Sequence, residues 1–185
     1  MPATVIVLNG CSSAGKSSAA RALQAIAREP FLHVAMDAFL AMLPERVWAD
    51  PQGIRFDQRI VDGHPIVDIE TGPAFDRAMQ GMRRAIGALW AEGNNCIVDD
   101  VMLLPADQQD YRAKIDPGAL RFVALHASLP LLEEREIARG DRVHGLARGQ
   151  IGRVHSGREY DLEITVDGMT PVQCAQRIAE RFDLA

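Results

Sequence analysis

The stretch Thr4-Val5-Ile6-Val7-Leu8-Asn9-Gly10-Cys11-Ser12-Ser13-Ala14-Gly15-Lys16-Ser17 decides the fold. Val5 to Leu8 is an apolar, β-branched run with the length of a buried strand. It stops at Asn9-Gly10, and small residues lead to Gly15. Beyond the loop, Ala19, Ala22, Leu23, Ile26 and Ala27 recur at helical spacing. Gly10, Gly15, Lys16 and Ser17 satisfy the P-loop spacing G-x-x-x-x-G-K-[ST]. Glycines let such a loop turn tightly, so that successive N–H groups converge on phosphate oxygens. The following helix adds its positive dipole end. Lys16 is placed to bridge the β- and γ-phosphates and Ser17 to ligate Mg²⁺. The expected cofactor-binding residues are Gly10, Ser12, Ser13, Ala14, Gly15, Lys16, Ser17 and Ser18, with ATP and Mg²⁺ as cofactors. The alternative, a chance match in a small-residue loop, is disfavoured by the strand before it and the helix after it.

Outward from the loop, Pro30 ends the first helix and Phe31 to Met36 forms a second short apolar run before Asp37. Strand, helix and strand in this order imply a right-handed crossover and a parallel sheet, whose ligand crevice lies beyond the carboxyl strand ends. Asp37 stands at such an end. It is either the cap of a short helix over 38–43 or a catalytic group, and its location favours catalysis. Residues 44–73 carry Pro44, Pro51, Gly53, Gly63, Pro65, Gly72 and Pro73 and read as a long loop on the acceptor side. Trp48, Ile54, Phe56, Ile60, Ile66 and Val67 either wall an acceptor pocket there or pin the segment to the core.

Phe75, Ala78, Met79, Met82, Ile86, Leu89 and Trp90 form the stripe of a long core helix stopped near Gly93. The strand Cys96-Ile97-Val98 then ends in Asp99-Asp100, a Walker-B position for holding Mg²⁺. Side-chain alternation sends the two acids to opposite faces, with separate jobs; both are candidate metal ligands with Ser17. Pro105 to Ile115 is weakly helical, and Leu120 to His126 is a further strand. A helix over 129–139 carries Arg135 and Arg139, and Arg142 joins their face if the helix continues. The three either form a solvated, salt-bridged face or neutralise phosphate charge from a lid over about 135–155, hinged by Gly140, Gly145, Gly149 and Gly152. The lid is preferred, with Arg135 on the nucleotide and Arg139 and Arg142 beside Lys16 and Asp37 as catalytic residues. Leu162 to Val166 is the last strand, and Thr170-Pro171 opens a closing helix.

Five strands alternating with helices give an α/β class with a parallel sheet, and 185 residues suit one domain. A net charge of −5 argues against a general nucleic-acid or anionic-membrane binder. Cys11, Cys96 and Cys174 are odd in number and lack metal-site spacing, as in reduced thiols of a cytoplasmic protein. Cys11 is either a thiolate favoured by the phosphate loop or a small tolerated residue. No leader is expected at Met1-Pro2-Ala3-Thr4, and a homo-oligomer is left open.

Leu8-Asn9-Gly10 with Ser12 to Ser17, Asp37 and Val98-Asp99-Asp100-Val101 together resemble the chloramphenicol phosphotransferase-like family of small P-loop kinases. Arg135-Glu136, Ala138-Arg139-Gly140-Asp141-Arg142-Val143, and His155 with Gly157 and Glu159-Tyr160-Asp161 extend the resemblance. It implies a nucleoside- or shikimate-kinase-like fold, ATP as donor, Asp37 as general base and a small hydroxylated acceptor such as a chloramphenicol-like antibiotic. Two alternatives stand beside it. One is a kinase for a nucleotide, sugar acid or sugar nucleotide; the other is a non-catalytic nucleotide switch, which would need neither Asp37 at a strand end nor an arginine lid.

Overall fold

The computed structural model describes residues 3–140 and 143–185. Its strands are β1 (Val5–Asn9), β2 (Phe31–Ala35), β3 (Ile54–Val61), β4 (His64–Thr71), β5 (Asn95–Asp100), β6 (Leu120–His126) and β7 (Leu162–Thr165). Its helices are α1 (Lys16–Ile26), α2 (Met36–Leu40), α3 (Pro73–Ala91), α4 (Pro105–Arg112), α5 (Leu129–Arg139), α6 (Leu146–Gln150) and α7 (Pro171–Phe182). Five strands form one parallel sheet in the order β2-β5-β1-β6-β7. β1 is central and buried at every residue, as its continuous apolar run requires.

Period-two alternation divides the core. Ile6, Leu8 and Ile97 pack with Ala19 and Leu23 of α1 and Ile178 of α7. Val5, Val7, Cys96 and Val98 pack on the opposite face with Met82 and Ile86 of α3 and Tyr111 of α4. Each fully buried Leu or Ile in these layers contributes about 2 kcal/mol. Thr170 caps α7 in a reciprocal pair with Gln173, and Pro171 occupies the first turn as expected. No helix among the described residues is long and apolar enough to cross a membrane.

The segment 44–73 is not a long loop. After a 3₁₀ turn at Glu45–Val47 it forms the antiparallel hairpin β3–β4, with Val61 paired to His64 across Asp62-Gly63. Both turn residues have positive φ, 50° and 78°, the geometry of a two-residue hairpin turn favoured by Asp-Gly. That dipeptide is the signal by which the hairpin is legible in the sequence. The abundance of glycine and proline around it masks the alternation of the strands.

Two of the expected hinge glycines, Gly145 and Gly149, lie against backbone, and Gly140 ends a helix. α5 ends at Arg139 with Gly140 (φ 68°) as its cap, so that helix carries Arg135 and Arg139. Arg142 itself lies outside the described residues, as does Asp141. Gly145 and Gly149 bring α6 into backbone contact with β4, where Val67 N donates to the Gly145 carbonyl at 3.0 Å. A Cβ on Gly149 would lie 2.0 Å from the Val67 carbonyl oxygen. Gly149→Ala is therefore expected to lower unfolding free energy by about 1–3 kcal/mol in urea denaturation. Unchanged stability would show that α6 can back away from the hairpin.

Candidate active site

The P-loop leaves β1 at the carboxyl edge of the sheet, so β1 aims it at the crevice that β2 and β5 also open into. Ser13 and Gly15 have φ of 65° and 91°, the left-handed geometry that turns consecutive N–H groups toward one centre. Lys16 is buried, and its Nζ donates to the Gly10 and Cys11 carbonyls at 2.9 Å each. The Ser13 hydroxyl is buried without a hydrogen-bond partner among the described residues. A loop with converging amides, a fixed ammonium and an orphaned hydroxyl is built to take an anion. Cys11 packs into the core, where burial pushes its thiol to about 11 against the opposing charge of Lys16. The thiolate alternative is thereby removed.

Asp99 and Asp100 separate as alternation requires, and only one of them belongs to this site. Asp99 shares the α1 face; it receives the Ser17 hydroxyl in a close contact, and Lys16 Nζ lies 4.0 Å from its Oδ1. Burial pushes its carboxyl up, but His33, Lys16 and Ser17 outweigh that and hold it below its ordinary value. Asp100 corrects the expectation of a second metal ligand. It is fully buried on the α3–α4 face, accepting from Tyr111 Oη at 2.8 Å and Val101 N at 2.7 Å. The guanidinium of buried Arg83 stands 3.6 Å from Asp100 and 3.0 Å from Asp107. Complete burial raises the Asp100 pKa, with Arg83 opposing. The Asp100 carboxylate is committed to the core, leaving the Ser17 and Asp99 oxygens on the loop side. These hard donors suit Mg²⁺, which keeps water and phosphate ligands rather than needing a protein cage. No cluster of three or more His, Cys, Asp or Glu converges among the described residues.

A cavity of about 740 Å³ joins this loop to the hairpin. Lys16, Ser17, Asp99, Arg135 and Arg139 line it, as does Asp37. Asp37 lies in the first turn of α2 and not at its cap, which is Ala35. Arg135 reaches over the loop, its Nη1 3.5 Å from the Ser13 carbonyl. The hairpin contributes Ile54, Phe56 and Ile69 to the cavity wall, so the segment does form a pocket wall. Ile54 is also buried in a small core with Leu40, Phe75 and Met79, so the same segment is pinned as well. Trp48 and Ile60 remain exposed.

The roles of several residues escaped sequence reasoning, although Glu136, His155 and Tyr160 carry part of the resemblance. Glu136 is buried in α5 and accepts from Gly145 N at 2.7 Å and Ala147 N at 3.0 Å, capping α6 across space. Gln150 Oε1 accepts from Ser12 N at 2.6 Å, tying α6 to the P-loop. Both are polar residues within charged or polar runs, and only their burial distinguishes them. Beyond α6, Tyr160 Oη accepts from Asn9 Nδ2 at 2.7 Å and meets His155 Nδ1 at 2.9 Å. His155 stacks on His126, and this polar cluster braces the segment after α6 against the end of β1.

A central strand feeding this loop, inside this strand order, defines the P-loop kinase class. The solved structures it resembles include a Janibacter sugar kinase, with 18% identity, coverage of 100% of this chain and 96% of that one, and TM-score 0.68. APS kinase CysC of Mycobacterium tuberculosis gives 15% identity, 98% coverage of both chains and TM-score 0.67. The tunicamycin resistance protein of Deinococcus radiodurans gives 17%, 99% and 97% coverage, and 0.67. At these identities the likeness is one of fold. A Mycobacterium tuberculosis protein provisionally named O-phosphotransferase Rv2636 is 33% identical over 183 residues, covering 96% of this chain and 81% of its own. The profile described as chloramphenicol phosphotransferase-like protein matches residues 3–183. The chain belongs to the chloramphenicol phosphotransferase-like family, which makes it a phosphotransferase of the P-loop kinase class.

Two expectations follow from the polar clusters. Asp100→Ala strands the Tyr111 hydroxyl and part of the Arg83 charge in the core, and should cost on the order of 3 kcal/mol in urea denaturation. A change within experimental error would return Asp100 to the list of functional acids. The second concerns pH. Burial, then the neighbouring His126, lowers the His155 pKa from its ordinary 6.5 to about 4. The unfolded chain thus binds this proton more readily than the folded one, so stability is full above pH 6.5 and falls as pH drops from 6.5 to about 4. Denaturation curves across that window should be flatter for His155→Gln than for the parent protein.

Proposed function

We propose that the protein transfers the γ-phosphoryl group of ATP to a hydroxyl of a small, uncharged and largely apolar acceptor of the chloramphenicol type. One observation carries this reading: the cavity that holds the anion loop at one side is walled by apolar side chains at the other. Among the described residues lining it, the cations Lys16, Arg21, Arg135 and Arg139 all come from α1 and α5. The hairpin, α2 and α3 offer Met36, Leu40, Ile54, Phe56, Ile69 and Phe75, with Asp37 as their single charged group. A nucleotide, sugar acid or sugar nucleotide would bring an anion to that wall with no cation among its described residues to meet it.

In this mechanism the P-loop amides and Lys16 orient the β- and γ-phosphates, and Ser17 and Asp99 would hold Mg²⁺. When bound, that ion neutralises charge on the phosphate oxygens. Arg135 and Arg139 add fixed positive charge where the transferred group passes. Asp37 accepts the proton of the acceptor hydroxyl as its oxygen attacks phosphorus and ADP leaves. Little covalent work falls to the protein beyond positioning and charge. The non-catalytic switch gains no support, since a carboxylate opposite the loop and a walled acceptor pocket would serve no purpose in it.

The test is ADP release from ATP with chloramphenicol, neutral aromatic alcohols, gluconate and nucleotides offered in turn. Turnover is expected with the neutral, apolar alcohols; preference for a charged acceptor would overturn the reading. Asp37→Asn should keep ATP affinity and thermal stability near the parent values while turnover falls about a hundredfold or more. Unchanged turnover would remove the base, and lost ATP affinity would move Asp37 to the metal.

A further inference from the structure

His33 lies on β2 and lines the same cavity. β2 and β5 are parallel neighbours, with His33 opposite Ile97 and Ala35 opposite Asp99. Residues paired across adjacent strands point to one face, so His33 and Asp99 share the face that carries α1. The ring nitrogen Nε2 of His33 lies 3.8 Å from Asp99 Oδ2, the same oxygen that receives the Ser17 hydroxyl. That nitrogen is buried and has no hydrogen-bond partner among the described residues.

A buried polar atom without a hydrogen bond carries a desolvation cost, offset here only in part by the charge of Asp99 at 3.8 Å. Leucine would fill much of the same volume without that cost, and the position otherwise belongs to the apolar face of an edge strand. The retained nitrogen therefore points to a use other than folding. At 3.8 Å the separation exceeds a direct hydrogen bond, and a slight turn of the carboxylate closes it to one. Carboxylates that hold metals are commonly oriented by a donor of this kind.

We propose that His33 is a positioning residue for Asp99. Its Nε2–H holds the Oδ2 edge of the carboxylate beside Ser17, so that hydroxyl and carboxylate oxygens are presented together. The inference rests on the assignment of Ser17 and Asp99 to Mg²⁺ in the proposed reaction, and it adds a residue that acts through Asp99 alone.

Calorimetric titrations of AMPPNP with Mg²⁺, and of AMPPNP with EDTA, into the parent protein, His33→Leu and His33→Gln test it, alongside melting curves. His33→Leu should melt at or above the parent temperature and bind metal-free AMPPNP unchanged. It should bind Mg·AMPPNP about tenfold more weakly. His33→Gln, which keeps an N–H donor, should recover most of that loss. Equal Mg·AMPPNP affinity in His33→Leu overturns the inference, as does an equal loss for both nucleotide forms, which marks a packing defect. A His33→Leu protein that melts well below the parent, or does not fold, shows the nitrogen serving the fold and also overturns it. Parent protein that binds neither form overturns the nucleotide-site reading itself, and binding indifferent to Mg²⁺ overturns the metal assignment; the inference falls with either.

Discussion

The placement of β1 between β5 and β6, all three parallel, is the constraint on which the cavity depends. A fully buried strand must satisfy its backbone on both sides, and here both neighbours run in its own direction. Their carboxyl ends therefore open on one edge. The P-loop after β1, Asp99 at the end of β5 and Asp37 just beyond β2 meet there because the sheet leaves no other edge for them. The anion loop needs no special scaffold of its own; the core that buries Val5 to Leu8 also aims it.

Alternation along β5 then divides labour between two adjacent carboxylates. One residue of register separates a carboxylate beside Ser17 and Lys16 from one sealed among Arg83, Tyr111 and Asp107. The second cluster is more than ballast. It anchors the end of β5 from below, so that the strand end holding Asp99 cannot shift without disturbing a buried charge. A polar network of this kind is costly to break and correspondingly effective at fixing one arrangement.

On the opposite side of the cavity, α6 joins three parts that lie far apart in the chain. Glu136 of α5 caps it, Gln150 ties it to Ser12, and two glycines press it against β4. Helix α5 and the β3–β4 hairpin are consequently parts of one packed body in this state. Glycine spacing alone suggests a hinged lid there; the close approach of backbones is an equally good reason for glycine, and it accounts for Gly145 and Gly149.

Local chemistry determined much by sequence alone. The apolar run, glycines, lysine and serine of the P-loop define a phosphate loop because backbone and charge requirements there are met within fourteen consecutive residues. The same holds for the parallel α/β class, the start and end of α5, the cap of α7 and the division of Asp99 from Asp100, each set by short-range periodicity or capping. Asp37 at the mouth of the crevice was legible for a similar reason, since strand ends are marked in the chain. Tertiary structure alone decided which face each acid met, and so which one was withdrawn into the core. It also decided that Glu136 and Gln150 brace α6, that Phe75 serves both core and pocket, and that His33 stands beside Asp99. Those roles depend on partners beyond the reach of local periodicity, from nine residues away for Glu136 to 138 for Gln150, and a residue's own type and spacing carry no record of what the fold will set against it.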